Sequence, residues 1–165
     1  PLNLFVSQSL RTLQRDAFTD WLLESLQQRD LPGSALVIDV RLPDALIHTV
    51  PLQQFCQRMA SAGVRFCLSQ FEPGSEADAL LTQLPLSFVR MAARFSSSHS
   101  NPGTREELRR AIDRAHAAGL QIIGQQIEDP QAAAAMWVGG VDYIQGNMVQ
   151  SAGSDLNFDF HNAVL

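Results

Sequence analysis

The chain contains no lysine; all twelve of its basic residues are arginine. This excludes a lysine Schiff base, a P-loop lysine and a lysine general base, because a guanidinium does not surrender its proton near neutral pH. Cysteine is scarce. Cys56 and Cys67 are the only two, too few for a disulfide framework and without the paired spacing of a zinc site, so they read as buried thiols in a reducing cytoplasm. No run of eighteen apolar residues occurs, so the sequence provides no membrane-spanning helix. The opening PLNLFVSQSL lacks the basic start and long apolar centre of a signal peptide. It begins directly in a strand-like run, as expected of a chain that enters a larger fold partway. A basic face is missing too: the net charge of −5 argues against a nucleic-acid polymer as partner. No GxGxxG follows an apolar run and no GxxxxGK[ST] occurs, which removes dinucleotide and nucleoside-triphosphate binding. No GxSxG marks an activated serine. The four histidines, His48, His99, His116 and His161, lack metal-ligand spacing and read as solvated side chains.

What the chain does have is the material of an ordinary folded domain: 165 residues, 45% hydrophobic and 18% charged. Short apolar runs alternate with amphipathic stretches. Leu4-Phe5-Val6, Leu36 to Val40, Arg65 to Leu68, Ser87 to Met91, Leu120 to Ile123 and Val141 to Ile144 are too brief for helices. They are rich in β-branched and aromatic residues, which predicts buried strands. Between them, Asp16–Gln28 places Phe18, Trp21, Leu22 and Leu26 toward one face, and Leu52–Ala62 carries Phe55, Cys56 and Met59 before Gly63. Thr104–Ala118 opens on a Thr-Arg-Glu-Glu capping-box pattern and stops at Gly119. A further helix starts at Asp129-Pro130 and ends at Gly139-Gly140. Ser96–Pro102 reads as a polar loop. Trp21, Phe55, Phe66, Leu68, Phe88 and Ile123 are the expected core.

Strand–helix alternation predicts parallel strands joined by right-handed crossovers. Six strands do not close an eight-stranded barrel, so the alternatives are an open doubly wound sheet or most of a barrel without its opening units. Chemistry in such folds gathers at the carboxyl ends of the strands. There the residues are polar but mostly uncharged. Asp39 and Glu128 are the evident carboxylates, with Glu72 one step past a strand end. Asp39 has a plainer reading, capping the next helix or pairing with Arg41 or Arg65, and Glu128 has one as a favourable charge at a helix start.

In order along the chain these strand ends resemble the EAL domain, the cyclic di-GMP phosphodiesterase family, in degenerate form. Gly140-Val141-Asp142-Tyr143-Ile144-Gln145-Gly146 resembles the family's G-V-D-x-x-Q-G block, and Ile127 to Gln131 the tail of E-G-V-E-T-x-E-Q. Phe5 to Leu13 resembles V-N-L-S-A-R-Q-L, and Leu36 to Leu42 resembles L-E-I-E-I-T-E. Ser69-Gln70-Phe71 falls where the family has D-D-F-G, and Val89 to Ala92 where it has L-K-I-D.

The resemblance implies an EAL-type, TIM-like (β/α) barrel. It is incomplete, with about six βα units, and residues 1–165 form one N-terminally truncated domain. It also implies lost metal-ligand positions: the family's Asn is Ser7, its first Glu is Asp39, and its Asp pair is Ser69-Gln70. Its Lys is Arg90, the Asp after it is Ala92, and the first Glu of E-G-V-E is Gln125, whereas Glu128 and Gln145 are unchanged. The expectation is therefore a non-catalytic domain with no metal and no cofactor.

Leu4-Phe5-Val6, Asp20-Trp21-Leu22, Ser69-Gln70-Phe71, Tyr143 to Gly146 and the tail Leu156 to Phe160 further resemble EAL domains of the FimX type. These are bacterial cyclic di-GMP receptors of type IV pilus and twitching-motility regulation that engage PilZ-type partners. On that footing Glu128, Gln145, Gln70 and Asp39 are the expected ligand-binding residues. Glu72 in place of the usual glycine, and Asn147-Met148 in place of an aromatic pair, fall at the ligand mouth. They keep a second reading open: a relic that no longer binds nucleotide and acts as a protein-interaction module. The first strand has no sequence neighbour on one side, which predicts a homodimer or a partner-covered edge.

Overall fold

The computed structural model describes residues 3–155, so the tail Leu156 to Phe160 and His161 lie outside the described residues. The chain divides between Val89 and Arg90 into two compact units. Buried parallel strands read as short continuous apolar runs. Each of the six runs contains a strand, but the expectation of burial is corrected for the first and last, Leu4–Ser7 and Tyr143–Ile144, which contain no buried residue.

The first unit contains β1 (Leu4–Ser7), α1 (Leu10–Leu13), α2 (Asp16–Gln28), β2 (Leu36–Arg41), α3 (Leu42–Ile47), α4 (Thr49–Ala60), β3 (Arg65–Phe71), α5 (Ser75–Gln83) and the start of β4 (Phe88–Met91). Its strands lie in the order β1-β2-β3-β4, and β2 pairs in parallel with both β1 and β3. One sheet face packs on helices: the Phe66 ring meets Phe55 of α4 edge-on at 6.0 Å. Phe55, Phe66, Leu68 and Phe88 are buried as expected.

Trp21 is not; it is 58% exposed. At about 100° of turn per residue, Thr19, Leu22, Leu23 and Leu26 share the inward arc of α2, and Trp21 falls on the other side. There its ring rests against Phe18 at 5.8 Å. Sequence reading also passes over α3 and α5. The first follows β2 with no intervening loop, and the second is only nine residues long.

The second unit contains the end of β4, a 3-10 segment (Ala93–Ser100), α6 (Pro102–Ala117), β5 (Gln121–Gly124), α7 (Pro130–Gly139) and β6 (Tyr143–Ile144). Its strand order is β4-β5-β6, with β5 and β6 parallel. Phe95, Ile112, Ile122, Ile127 and Met136 are its buried centre, and Ile123 is buried as expected.

Two expectations are corrected here. The serine-rich stretch is helical rather than a loop: the Ser100 hydroxyl donates to the Ser97 carbonyl at 2.8 Å, and Phe95 anchors the segment in the core. The Thr104 capping box is not the helix start. Asn101 is the N-cap, its side chain accepting the Thr104 N–H at 3.1 Å, and Pro102 fills the first turn. The predicted end of α7 is found. Gly140 takes a left-handed φ of +94°, and its N–H closes back on the helix carbonyls.

Candidate functional site

In-register neighbours of a parallel sheet project to the same face, and alternate residues along a strand do so too. Ser7 is in register with Asp39, Asp39 with Cys67, and Arg41 with Ser69. Ser7, Asp39 and Ser69 therefore share one face at the carboxyl end of β1–β3, opposite the face that carries Phe66. The Gln8 N–H donates to the Asp39 carbonyl at 3.0 Å and extends the ladder past β1. Asp39 and Ser69 are buried, and Ser7 is exposed. Among the described residues the Ser69 hydroxyl makes one long contact, 3.5 Å, to the Val40 carbonyl.

Asp39 does not cap α3, whose N-cap Arg41 has no side-chain cap bond. Arg41 turns instead to Asp44, donating at 3.2 and 3.4 Å. That hydrogen bond, with the attraction of the same carboxylate, raises the Arg41 pKa above its usual range. At the amino end of the same face, the Arg65 guanidinium lies 5.3 Å over the Phe88 ring and donates to the Ser34 carbonyl at 2.8 Å. Phe5 meets Phe88 edge-on at 5.2 Å. The face thus grades from an aromatic–guanidinium floor to a polar rim.

Gln70 stands apart from that rim. It is exposed, with a left-handed φ of +52°, an arrangement that costs a non-glycine residue about 1–2 kcal/mol. Glu72, after it, is half-buried.

In the second unit the strand-end residues are tied together by backbone. Arg90 and Ala92 flank buried Met91, whose carbonyl accepts from Gln125 Nε2 at 2.8 Å. The Gln145 N–H donates to the Gly124 carbonyl at 2.8 Å, and the Ile127 N–H donates to the Gln145 carbonyl at 3.0 Å. The loop after β5 and the end of β6 are thereby pinned side by side, with Glu128 and Gln145 both exposed on them. Gly146 allows this approach, since a Cβ there would overlap the Ile127 backbone. Gln126 adopts a left-handed φ of +56°. Glu128 does not cap α7; the cap is Asp129, which accepts the Ala132 N–H at 2.8 Å.

Sequence reading missed the work of Asp142. Its carboxylate accepts the Ile122 N–H at 2.7 Å and meets His116 Nε2 at 2.8 Å, fastening the start of β5 and the end of α6. His116 is therefore a partnered histidine and not a merely solvated one. His99, placed in the 3-10 segment, is half-buried. No spacing rule joins residues so far apart in the chain; only the fold, which sets the start of β5 beside the end of α6, brings them together.

Comparison with known proteins fits this geometry. The EAL domain family model matches residues 1–152. The FimX EAL domain of Xanthomonas citri, solved in complex with c-diGMP, superposes with a TM-score of 0.92 at 23% identity, over 96% of this chain and 63% of that one. The FimX EAL domain of Pseudomonas aeruginosa, bound to c-di-GMP, gives 0.91 at 26% identity, over 96% of this chain and 65% of that one. An uncharacterised 76.5 kDa protein of Thiocystis violacea is 24% identical over 161 residues, which are 98% of this chain and 23% of that protein. This chain thus spans less than two thirds of each of these relatives. By the match over residues 1–152, most of its length, the chain belongs to the EAL domain family.

Proposed function

We propose that the chain is a catalytically inactive, FimX-type receptor domain for cyclic di-GMP, with residues 1–165 acting as one domain. The observation that carries this reading is the donor set on the β1–β3 face. Ser7, Asp39 and Ser69 offer one carboxylate and two hydroxyls, whereas Mg²⁺ or Mn²⁺ poised to activate water requires several charged oxygens. These residues do not fit a catalytic divalent ion. Among the described residues, no group of three or more His, Cys, Asp or Glu converges on one point. Arg90 cannot share a proton near neutral pH, and Ala92 has none to share.

Support for the ligand comes from the P. aeruginosa FimX EAL domain, 26% identical and bound to c-di-GMP. In this chain the pinned pair Glu128 and Gln145 supplies a carboxylate that accepts from a guanine edge and an amide that both donates and accepts. The resemblance to FimX further supports a cytoplasmic role in type IV pilus regulation with a PilZ-type partner.

Thermal stabilisation tests the reading. Cyclic di-GMP at a hundred times its dissociation constant should add about 2.7 kcal/mol, and Glu128→Ala or Gln145→Ala should remove most of it. Turnover with Mg²⁺ or Mn²⁺ that disappears in Glu128→Ala would overturn inactivity.

A second reading, an EAL relic working through its surface, draws on the exposed aliphatic side chains Leu46, Ile47 and Val50 at the α3–α4 elbow and on Leu4 of β1, 59% exposed. It predicts no stabilisation by the nucleotide. Under either reading β1 is the last strand of the sheet order among the described residues, an edge that a second copy, a partner or another segment of the protein can pair with. Light scattering that finds a monomer at every concentration would exclude the homodimer.

A further inference from the structure

The second unit holds a cavity that the strand-end residues do not use. It measures about 220 Å³ and lies among His99 of the 3-10 segment, Arg105, Leu108 and Ile112 of α6, and Ala135 and Val138 of α7. The space arises because α7 turns small residues toward α6. Ala135 and Gly139, four apart and so on one helix face, both line it. Its walls are apolar: Leu108 and Ile112 are buried, while Val138, at the mouth, is 90% exposed.

Its polar groups are unequal. Arg109, also on the lining, is committed to Glu106 and Asp113, each at 2.8 Å. The Arg105 side chain has no ion pair or hydrogen bond among the described residues; only the backbone N–H is bonded, to the Asn101 carbonyl at 2.9 Å. Its charge is uncompensated on the same face of α6 that lines the cavity. Nδ1 of His99 is buried and without a hydrogen-bond partner among the described residues, a state that costs free energy unless something fills it.

We propose that this cavity binds a small apolar monoanion: a single-ring or short branched hydrocarbon body bearing one carboxylate. The size fits the body, since an apolar cavity of about 150 Å³ admits benzene and this one leaves room for a substituent. The charge fits the head, because a guanidinium makes charge-assisted, two-pronged hydrogen bonds to a carboxylate. A neutral ligand would leave Arg105 unused, and a bulky polyanion would not enter between Leu108, Ile112 and Ala135.

Titration of the isotopically labelled 165-residue chain with benzoate, followed by amide NMR shifts, tests the proposal. Benzyl alcohol serves as the neutral arm and acetate as the arm without an apolar body. The expected result is saturable shifts confined to residues 98–99, 105–112 and 135–139. Arg105→Gln should weaken benzoate at least fivefold and leave benzyl alcohol unchanged, and Ala135→Leu should abolish both by filling the space. Arg105 is exposed, so its variant keeps the fold even if Ala135→Leu does not. Three results would each overturn the proposal: shifts that do not saturate or that scatter elsewhere, acetate binding as tightly as benzoate, or benzoate affinity unaltered in Arg105→Gln.

Discussion

Gly146 shows how a single missing Cβ can hold a site together. Its backbone lies against Ile127, and the Met148 N–H reaches the Ile127 carbonyl at 3.2 Å. Gly146→Ala should therefore cost about 1–3 kcal/mol as overpacking, read as a lower urea midpoint. Because the same contact pins Gln145 beside Glu128, any nucleotide affinity should fall with it. Cys56 behaves differently. Burial pushes its thiol up to about 12, so at pH 8 only about one molecule in ten thousand carries the thiolate that reacts. Disulfide reagents should leave Cys56 untouched until the chain unfolds. The sign of the linkage follows. The unfolded thiol ionises near 9 and the folded one near 12, so this group's contribution is complete below pH 9 and is lost as pH rises toward 12. Urea midpoints measured from pH 8 to 11 should fall across that window, and less steeply in Cys56→Ala.

At the scale of elements, helix starts are where local reading and structure part most clearly. The Thr-Arg-Glu-Glu pattern at Thr104 is a sound capping signal, but Asn101-Pro102 lies upstream and takes the role, because proline pre-sets the first turn and the Asn101 side chain reaches the Thr104 N–H. Asn101→Ala should cost about 0.5–2 kcal/mol, while Thr104→Ala should stay within about 0.5 kcal/mol. The reverse ranking in thermal melts would restore the capping box. Glu106, freed from capping duty, instead gathers Arg109 and Arg110. Hydrogen bonds from Arg109 first, then Arg110, bring its pKa down to about 2. A depressed carboxylate stabilises above its unfolded pKa, so this contribution is present above about 4.5 and fades as pH falls toward 2. The cluster lies at the surface, open to solvent, so salt should screen it. The difference between wild type and Glu106→Gln should therefore shrink in 1 M NaCl, by an amount read from melts. The serine-rich segment was hidden for a related reason. Serine hydroxyls that bond local carbonyls, as Ser100 does to Ser97, favour turns and helices alike, and only the burial of Phe95 selects the helix.

For the molecule as a whole, stability should follow burial and not side-chain size. Phe66, 1% exposed, should cost about 3–5 kcal/mol on truncation to alanine. Trp21, larger but 58% exposed, should stay within about 0.5 kcal/mol. Denaturant unfolding of the two variants gives the comparison, and similar losses would contradict the placement of α2. The same contrast shows how far the fold was legible. The inner strands β2 to β5 are legible because a strand buried on both faces must be a short apolar run, whereas β1 and β6 are apolar runs that stay partly exposed. The long helices were readable because glycine and proline mark their ends. Trp21 escapes the sequence pattern because a step of one residue along a helix is about 100° of turn, enough to carry a side chain from the inward face to solvent.

What the sequence determined by itself was local chemistry and period: the alternation of strands and helices, the absence of lysine, and the polar but mostly uncharged residues at the strand ends, Ser7, Ser69, Gln70 and Gln125 among them. Tertiary structure decided which of these residues meet. Register put Ser7, Asp39 and Ser69 on one face and left Gln70 apart on a left-handed turn. Asp142 was joined to His116 and Ile122, and Gln125 was sent to the Met91 carbonyl. The division has a physical reason. Periodicity and turn chemistry act over a few residues, whereas hydrogen-bond partners of a strand end come from neighbours twenty or more positions away, which only the folded chain brings within reach.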